Sequence, residues 1–326
     1  MADRPAAAPF SNIVAVCETG DGGAESLARA ADLARANNAR LTALAVGDDH
    51  AEIKHLARFA GVEAAEIEAG MMDALKSALA ERVASYAGDL TIAIETRLGR
   101  PFREIIGDVI ENGRDLVIKM AEPFDQKHRY LFTSTDQHLL RKCPCPVWLA
   151  MPGAAQPPRT IMAAVDLDDE EGDRDDALNR IIVETACRIA ASSGATLHIT
   201  HVWDAPAEDL VRRWTNDSGD VRRYLDATEA ARRKALDALT RQAREDMAED
   251  ALPAAIVPHL ARGRPRDVIP AHVDAMGVDL LVIGTLVRTG IPGLIIGNTA
   301  EDVLNAVDCS VLTVKPPGYV SPLASG

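Results

Sequence analysis

Hydrophobic and polar positions follow two patterns, one typical of β-strands and one typical of helices, which alternate along this chain. Short apolar runs, such as 12–17 and 280–283, fit β-strands that are buried on both faces. Longer stretches with an apolar residue at every third or fourth position fit amphipathic helices. In the first half, the pattern predicts strands at 12–17, 40–46, 90–95, 115–120 and 146–150. Between them it predicts helices at 24–36, 71–87, 102–112 and 136–141, with a less regular helical piece at 50–59.

The second half repeats this order of elements. Strands are predicted at 160–165, 196–203, 254–259, 280–283 and 311–314, and helices at 177–191, 227–246, 266–275 and 298–307. A polar segment with Trp214 and Tyr224 precedes the longest helix, and the tail 317–326 is predicted to be disordered. Strands that alternate with helices predict an α/β fold in which helices cover both faces of a parallel sheet.

The two halves are copies of one another. A shift of 164 residues places Gly99-Arg100-Pro101 on Gly263-Arg264-Pro265 and needs no gap from 99 to 152. Earlier in each half the shift is 148, which predicts sixteen extra residues between the second and third strands of the second copy. A repeat of this length indicates duplicated domains. The Pro- and Gly-rich segment that follows residue 151 predicts domains at 1–153 and 159–326, joined by a linker at 154–158.

Composition limits the classes of partner. The chain has 326 residues, is 47% apolar and carries a net charge of −14, which argues against a nucleic-acid surface and against anionic membranes. The N-terminus has no apolar segment and no run of about 18 apolar residues occurs, so a cytoplasmic protein is expected. Five cysteines, an odd number, predict free thiols. For Cys143-Pro144-Cys145 we favour core packing over a metal site, and no metal ligands are predicted.

A glycine-containing loop follows the apolar strand 280–283. It begins at Gly284 and leads to Gly297, after which Asn298 and Glu301 match the capping box of a helix start. A strand, a glycine loop and a helix N-terminus form the geometry that binds phosphate. The loop is not a Walker A motif, because no lysine precedes Thr299, and a Rossmann fingerprint would follow an early strand.

This loop resembles the nucleotide loop of the universal stress proteins, which reads Gly, two residues, Gly, nine residues, Gly, then Ser, Thr or Asn. Gly284 and Gly297 stand in the first and third glycine positions, and Val287 replaces the second. The segments GTLVRTGI, GNTAEDVL and LLRKCPCPVWLAMP carry the resemblance, which spans nearly the whole chain and is strongest to tandem members of the E type. It implies two five-stranded parallel sheets of order 3-2-1-4-5, whose last strands meet across a pseudo-twofold axis as an internal pseudo-dimer.

The resemblance also implies a site for an adenine nucleotide, ATP with Mg²⁺, in the second domain. An aspartate after the first strand, here Asp166, contacts the adenine or ribose in nucleotide-binding members, and Val202 would face the base. The other residues expected at the carboxyl ends of the strands are Gly263, Pro265, Ile283, Gly284, Arg288, Gly297, Asn298 and Thr299. In the first domain Glu18, Met120 and Thr133 stand where Asp166, Gly284 and Gly297 would be, so that site is expected to be degenerate.

Two functions stay open at this point. One is a non-catalytic stress-response or signalling protein that binds ATP. The alternative is a pseudo-dimeric interaction module that binds a protein or another small ligand and no nucleotide, and a homodimer is open in either case. Val287 favours the alternative, because a β-branched residue resists the backbone conformations that glycine allows, at a cost on the order of 1–3 kcal/mol. An enzyme is not expected, since no nucleophile, base and orienting group stand at a recognisable spacing, although slow ATP hydrolysis stays open.

Overall fold

The structure is a computed structural model. It describes residues 10–18, 21–47, 57, 59, 61, 63–125, 128–132, 134–167, 173–205, 208–215, 218–248, 252–285 and 297–324. Within these ranges no helix is both long and apolar enough to cross a membrane. The predicted helical piece at 50–59 lies largely outside the described residues.

The first half consists of strands β1 (Asn12–Val16), β2 (Arg40–Gly47), β3 (Ile92–Leu98), β4 (Leu116–Met120), β5 (Pro123–Asp125), β6 (His128–Phe132) and β7 (Val147–Ala150). Its helices are α1 (Asp21–Asn37), α2 (Ala64–Ala84), α3 (Pro101–Asn112) and α4 (Ser134–Lys142).

The second half consists of strands β8 (Thr160–Val165), β9 (Thr196–Trp203), β10 (Ala255–Arg262), β11 (Leu280–Gly284) and β12 (Ser310–Val314). Its helices are α5 (Asp173–Ser193), α6 (Glu208–Thr215), α7 (Ser218–Asp246), α8 (Pro265–Met276) and α9 (Asn298–Leu304). The segment between β7 and β8 contains the predicted linker, and the domain limits at 153 and 159 remain predictions.

Ten strands form one continuous sheet in the order β10-β9-β8-β11-β12-β7-β4-β1-β2-β3. Each half therefore has the predicted order 3-2-1-4-5, with parallel neighbours throughout. The halves join where β12 pairs with β7 in the antiparallel direction. Pairing the fifth strands covers two apolar edges that would otherwise be open for association with other chains.

Helices cover both faces of this sheet, and each face has an apolar core that runs through both halves. Helices α1, α2, α5 and α7 pack on one face, around residues that include Trp148 and Leu312. Helices α3, α4, α8 and α9 pack on the other face, around residues that include Val147 and Val311. Strands β1, β4, β7 and β12 are buried along their whole length, which explains why apolar residues predominate in them, although β4 also carries Lys119.

The strand register corrects the predicted position of the extra residues. Asn12 and Thr160 occupy equivalent places, 148 residues apart, and they pair with Arg40 and Thr196, which are 156 apart. After the third strands the shift is 164. Eight extra residues thus lie between the first and second strands and eight between the second and third, so the prediction of sixteen at the second position was wrong. The alignment of the two halves by sequence misplaced these residues because no matching residues at the second strands fixed the shift there.

Two further local predictions were wrong, and one loop contains strands that the pattern did not predict. The loop after β4 contains an antiparallel hairpin, β5–β6, that pairs Pro123 with Phe132. Helix α7 begins at Ser218 rather than 227, and α6 precedes it. Both helices are rich in charged residues, and α6 contains the i,i+4 ion pair Arg212–Glu208, which stabilises a helix. The tail up to 324 is folded in turns, and the Tyr319 hydroxyl donates a hydrogen bond to the Arg141 carbonyl at 2.8 Å.

Candidate functional site

The candidate site lies at the carboxyl edge of the second half of the sheet. Strands β8 and β11 are neighbours there, but the chain continues from β8 towards β9 on one side and from β11 towards β12 on the other. A crevice forms outside the strand ends at such a switch point, and ligands of open α/β sheets bind in it.

Asp166 follows β8 at this crevice, and its backbone is held in place. Its N–H donates to Asn179 Oδ1 at 3.0 Å, and Asn179 Nδ2 donates to the Asp166 carbonyl at 2.6 Å. Asn179 is itself buried on α5. Because the backbone alone makes these two bonds, the exposed Asp166 carboxylate can meet a ligand without breaking them.

Val202 and Ile283 belong to the apolar core at this end of the sheet. They are 5% and 7% exposed, and they pack in the cluster that includes Val273 of α8. Such burial is what sheet packing alone would give. The predicted contact of Val202 with a base therefore stays a prediction.

Gly263 and Pro265 form the turn from β10 into α8. Gly263 has φ of +147°, its N–H donates to the Trp203 carbonyl at 3.0 Å, and a Cβ there would lie 2.7 Å from Val268 Cγ2. Pro265 is the first residue of the helix, where a missing N–H costs nothing. Gly99 in the first half has φ of +151° in the same turn, so this glycine serves the fold in both repeats.

Gly284 and Gly297 bracket the loop; the first has a packing role and the second makes a backbone hydrogen bond. A Cβ on Gly284 would lie 2.9 Å from Leu178 Cδ2, so glycine lets α5 pack closely on β11. The Gly297 N–H donates to the Thr285 carbonyl at 3.3 Å, which closes the loop between them. Arg288 and Val287 lie outside the described residues.

The predicted capping box at the start of α9 was wrong. Gly297 is the N-cap residue, with no side-chain cap, and Asn298 and Thr299 are exposed in the first turn. Glu301 pairs instead with Arg141 Nη2 of the first half, at 2.5 Å. The N–H groups of the first turn are thus left without a side-chain acceptor from the predicted box.

Two arginines that sequence reasoning missed lie at the same edge. The Arg262 guanidinium lies 5.6 Å from the centre of the Trp203 ring and pairs with Glu208. Arg232 of α7 donates to the Leu167 carbonyl, just after Asp166, at 2.7 Å. Arg262 could have been noticed because it directly precedes Gly263, whereas Arg232 has no local signal within its charged helix.

Three histidines that looked scattered in the sequence come together under α8. His198 Nδ1 and His259 Nε2 are 2.7 Å apart, and the His259 and His272 ring centres are 6.4 Å apart. Burial lowers the pKa of His198 and of His259, and the neighbouring rings lower the pKa of His259 further. The neutral forms of His198 and His259 are thus favoured, and these two rings share a hydrogen bond.

The first half places charged side chains at its own switch point. Lys119 of β4 is fully buried, and its Nζ lies 2.5 Å from Glu18 Oε1, 3.0 Å from Asp136 Oδ1 and 3.3 Å from Glu122 Oε1. We call these four residues the Lys119 cluster. By the repeat shifts, Ile283 and Ala300 stand in the second half where Lys119 and Asp136 stand in the first. Ion pairs thus occupy the places that apolar side chains occupy in the second half.

The Lys119 cluster perturbs the ionisation of its members. Burial and a hydrogen bond with Glu122 together raise the pKa of Glu18 to about 8, against the opposing charge of Lys119. The same hydrogen bond lowers the pKa of Glu122. Burial alone would lower the pKa of Lys119, but Asp136 and Glu18 outweigh it and the pKa is raised. Near neutral pH, therefore, Lys119 is charged and Glu18 shares a proton with Glu122.

Comparison with known proteins supports one family. The family model described as "Universal stress protein family" matches residues 9–150 and 158–315. Universal stress protein E of Escherichia coli K12 is 32% identical over 246 residues, covering 74% of each chain, and that of Photorhabdus laumondii is 28% identical over 97% of this chain and 98% of its own. The crystal structure of a universal stress protein from Pseudomonas aeruginosa UCBPP-PA14 has a TM-score of 0.69 and 24% identity, covering 97% of this chain and 96% of that one, and so shares the fold. The chain belongs to the universal stress protein family and carries two copies of its domain.

Proposed function

We propose that this chain is a stress-response protein that binds an adenine nucleotide, ATP with Mg²⁺, at the carboxyl edge of its second domain. The observation that carries the proposal is the contrast between the two switch points. The first is filled by the Lys119 cluster, whereas the second has the exposed carboxylate of Asp166 and apolar side chains at the equivalent places. An anionic ligand with an apolar base suits the second environment better than the first.

Local features support this assignment in spite of the overall net charge of −14. Arg262 and Arg232 bring positive charge to the strand ends, and Asn298 and Thr299 present exposed N–H and hydroxyl groups. Asp166 would accept hydrogen bonds from ribose or adenine. The protein would act by binding rather than by catalysis, and it would act in the cytoplasm.

Calorimetric titration with ATP and Mg²⁺ tests the proposal. We expect micromolar binding by the unmodified protein, loss of binding in Gly297→Trp, and weaker binding in Asp166→Ala. Asp274→Ala is the matched control, because it removes an exposed carboxylate of the same domain from the far end of α8. Equal effects of the two aspartate variants would contradict a contact by Asp166.

The Val287→Gly variant separates the remaining outcomes. If only this variant binds ATP, the loop is a nucleotide site that Val287 has closed, and the strain it adds is worth about one to two decades of affinity. No heat from any variant would contradict nucleotide binding. The alternative would then be the interaction module, whose ligand is a protein or another small molecule.

A further inference from the structure

A pair of cysteine sulfurs lies in contact at the junction of the two halves. Cys143 and Cys145 occupy the turn from α4 into β7, and their Sγ atoms are 3.6 Å apart. Cys143 is fully buried and Cys145 is 7% exposed. The sequence pattern was expected to serve packing only, but packing does not require the two sulfurs to point at each other.

The second half supplies a buried cation to this pair. Lys315, just after β12, is only 6% exposed. Its Nζ donates hydrogen bonds to the Leu140 carbonyl and to Thr285 Oγ1, and it lies 5.4 Å from the centre of the Tyr319 ring. The residues that bond this ammonium group are thus neutral, and the nearby thiols are groups that can become its counter-charge.

The ionisation of the three groups agrees with this arrangement. Burial raises the pKa of Cys143, but the thiol and N–H of Cys145 and the charge of Lys315 outweigh it, so that the net shift is downward. Burial raises the pKa of Cys145. Burial lowers the pKa of Lys315 to about 8, against the opposing effect of both sulfurs. Cys143 is therefore the residue that forms the thiolate, and Cys145 keeps its proton.

The fold itself does not need these residues. The shift of 164 places Val307 at the position of Cys143 and Met151 at that of Lys315, whereas Cys309 matches Cys145. Apolar residues fill the equivalent places in the other repeat, so core packing does not require an ammonium group here. Burying one lowers the stability of the fold. The dithiol comes from one domain and the cation from the other.

We propose that Cys143 and Cys145 are a modification site, a dithiol that hydroperoxides oxidise reversibly to an intramolecular disulfide, with Lys315 as the positioning residue that favours the thiolate. With hydrogen peroxide, the Cys143 thiolate attacks one oxygen, the O–O bond breaks, and the leaving hydroxide takes up a proton as water; an organic hydroperoxide releases its alcohol instead. Cys145 sulfur then attacks the resulting sulfenic acid, the S–O bond breaks, and a second water leaves with the Cys145 proton. Two electrons pass from the sulfurs to one peroxide.

Reversal requires a dithiol reductant, which is oxidised to its own disulfide as the Cys143–Cys145 bond is reduced. A disulfide closed across a single residue is strained, and strained disulfides are the readily reduced ones. This chemistry does not depend on nucleotide binding, so either proposal can fail without the other.

Peroxide treatment of the reduced full chain, followed by alkylation and peptide mass mapping, tests the site. We expect Cys143 and Cys145 to lose alkylation together, as one disulfide that lacks two hydrogen atoms, and to recover with a dithiol reductant. The internal controls are the other buried cysteines, Cys17, Cys187 and Cys309, which should be alkylated to the same extent with and without peroxide. In Cys145→Ser, a sulfenic acid on Cys143 should be trapped by dimedone.

Two outcomes would overturn the proposal. In one, Cys143 and Cys145 are oxidised singly, at the rate of Cys309. In the other, both thiols persist. The role of Lys315 is tested with Lys315→Met, the residue found at Met151. Loss of the nearby charge should slow oxidation at neutral pH by about tenfold, because the thiolate fraction falls tenfold per unit of pKa. The pH profile gives a second measurement on the unmodified chain, since its oxidation rate should rise at lower pH than that of an ordinary thiol.

Discussion

Trp148 and Leu312 lie opposite each other in the antiparallel pair of β7 and β12, and they are also equivalent residues of the two repeats, 164 positions apart. A residue that pairs with its own counterpart marks the axis that relates the two halves. The pseudo-twofold axis therefore passes between these two side chains. Trp148 is 2% exposed, and the Arg29 guanidinium lies 5.5 Å from its ring centre, so the axis passes through the buried core.

The first prediction concerns what holds the two halves together. Trp148→Ala should lower the free energy of unfolding by about 3–5 kcal/mol, because it removes a large side chain from a core that both halves share. Glu301→Gln breaks the Arg141–Glu301 ion pair across the same junction and should cost less than about 1 kcal/mol, since both side chains are about one-third exposed. Urea unfolding measures both, and similar losses would contradict a junction held by burial.

The second prediction concerns the Lys119 cluster. Lys119→Ile should destabilise the protein by about 3–5 kcal/mol, because it leaves the buried Asp136 without its cation. The double variant Lys119→Ile/Asp136→Ala introduces the residues found at Ile283 and Ala300 and should regain much of that loss. Thermal and urea unfolding of the two single variants and the double variant give the coupling energy. A double variant whose losses simply add would show that the two groups do not depend on each other.

The third prediction concerns pH. In the folded protein Glu18 has a pKa of about 8, above the value of about 4.3 expected in an unfolded chain. The folded state keeps a proton that the unfolded state releases, so this contribution to stability is full below about pH 4.3 and is lost as the pH rises towards 8. Glu18→Gln cannot ionise and should escape that loss, gaining on the order of 1–3 kcal/mol over the unmodified protein between pH 5 and pH 8.

Unfolding by urea at several pH values measures this difference. Glu95→Gln is the control, because it removes an exposed carboxylate from the same half of the sheet. A constant difference between Glu18→Gln and the unmodified protein across this pH range would show that Glu18 ionises normally in the folded state.

Periodicity and the repeat determined most of the fold. Buried strands such as β1 and β11 are continuous apolar runs, and the turn at Gly99 recurs at Gly263, so element type, duplication and domain class follow from local pattern. The strand order came from resemblance to a family rather than from pattern. The start of α7 was missed because the helix is highly charged and contains few apolar residues.

The candidate site was predicted in part. Asp166 and the glycines fall at strand ends, which the sequence can locate, so their common edge of the sheet was predictable. The packing roles of Gly263 and Gly284 were not, because they depend on Val268 and on Leu178 of a separate helix. Glu301 was assigned to a local cap, whereas in the structure it pairs with Arg141, from the other half of the chain.

By itself the sequence determined where strands and helices form and that the chain is double, since both depend on residues close together along the chain. Only the tertiary structure decided which distant charges and thiols meet. Lys119 joins Glu18 and Asp136, and Lys315 bonds the Leu140 carbonyl of α4, the helix that leads into Cys143 and Cys145, because strand pairing brings their elements together. The energy of such buried groups depends on their neighbours in space, and no local pattern specifies those neighbours.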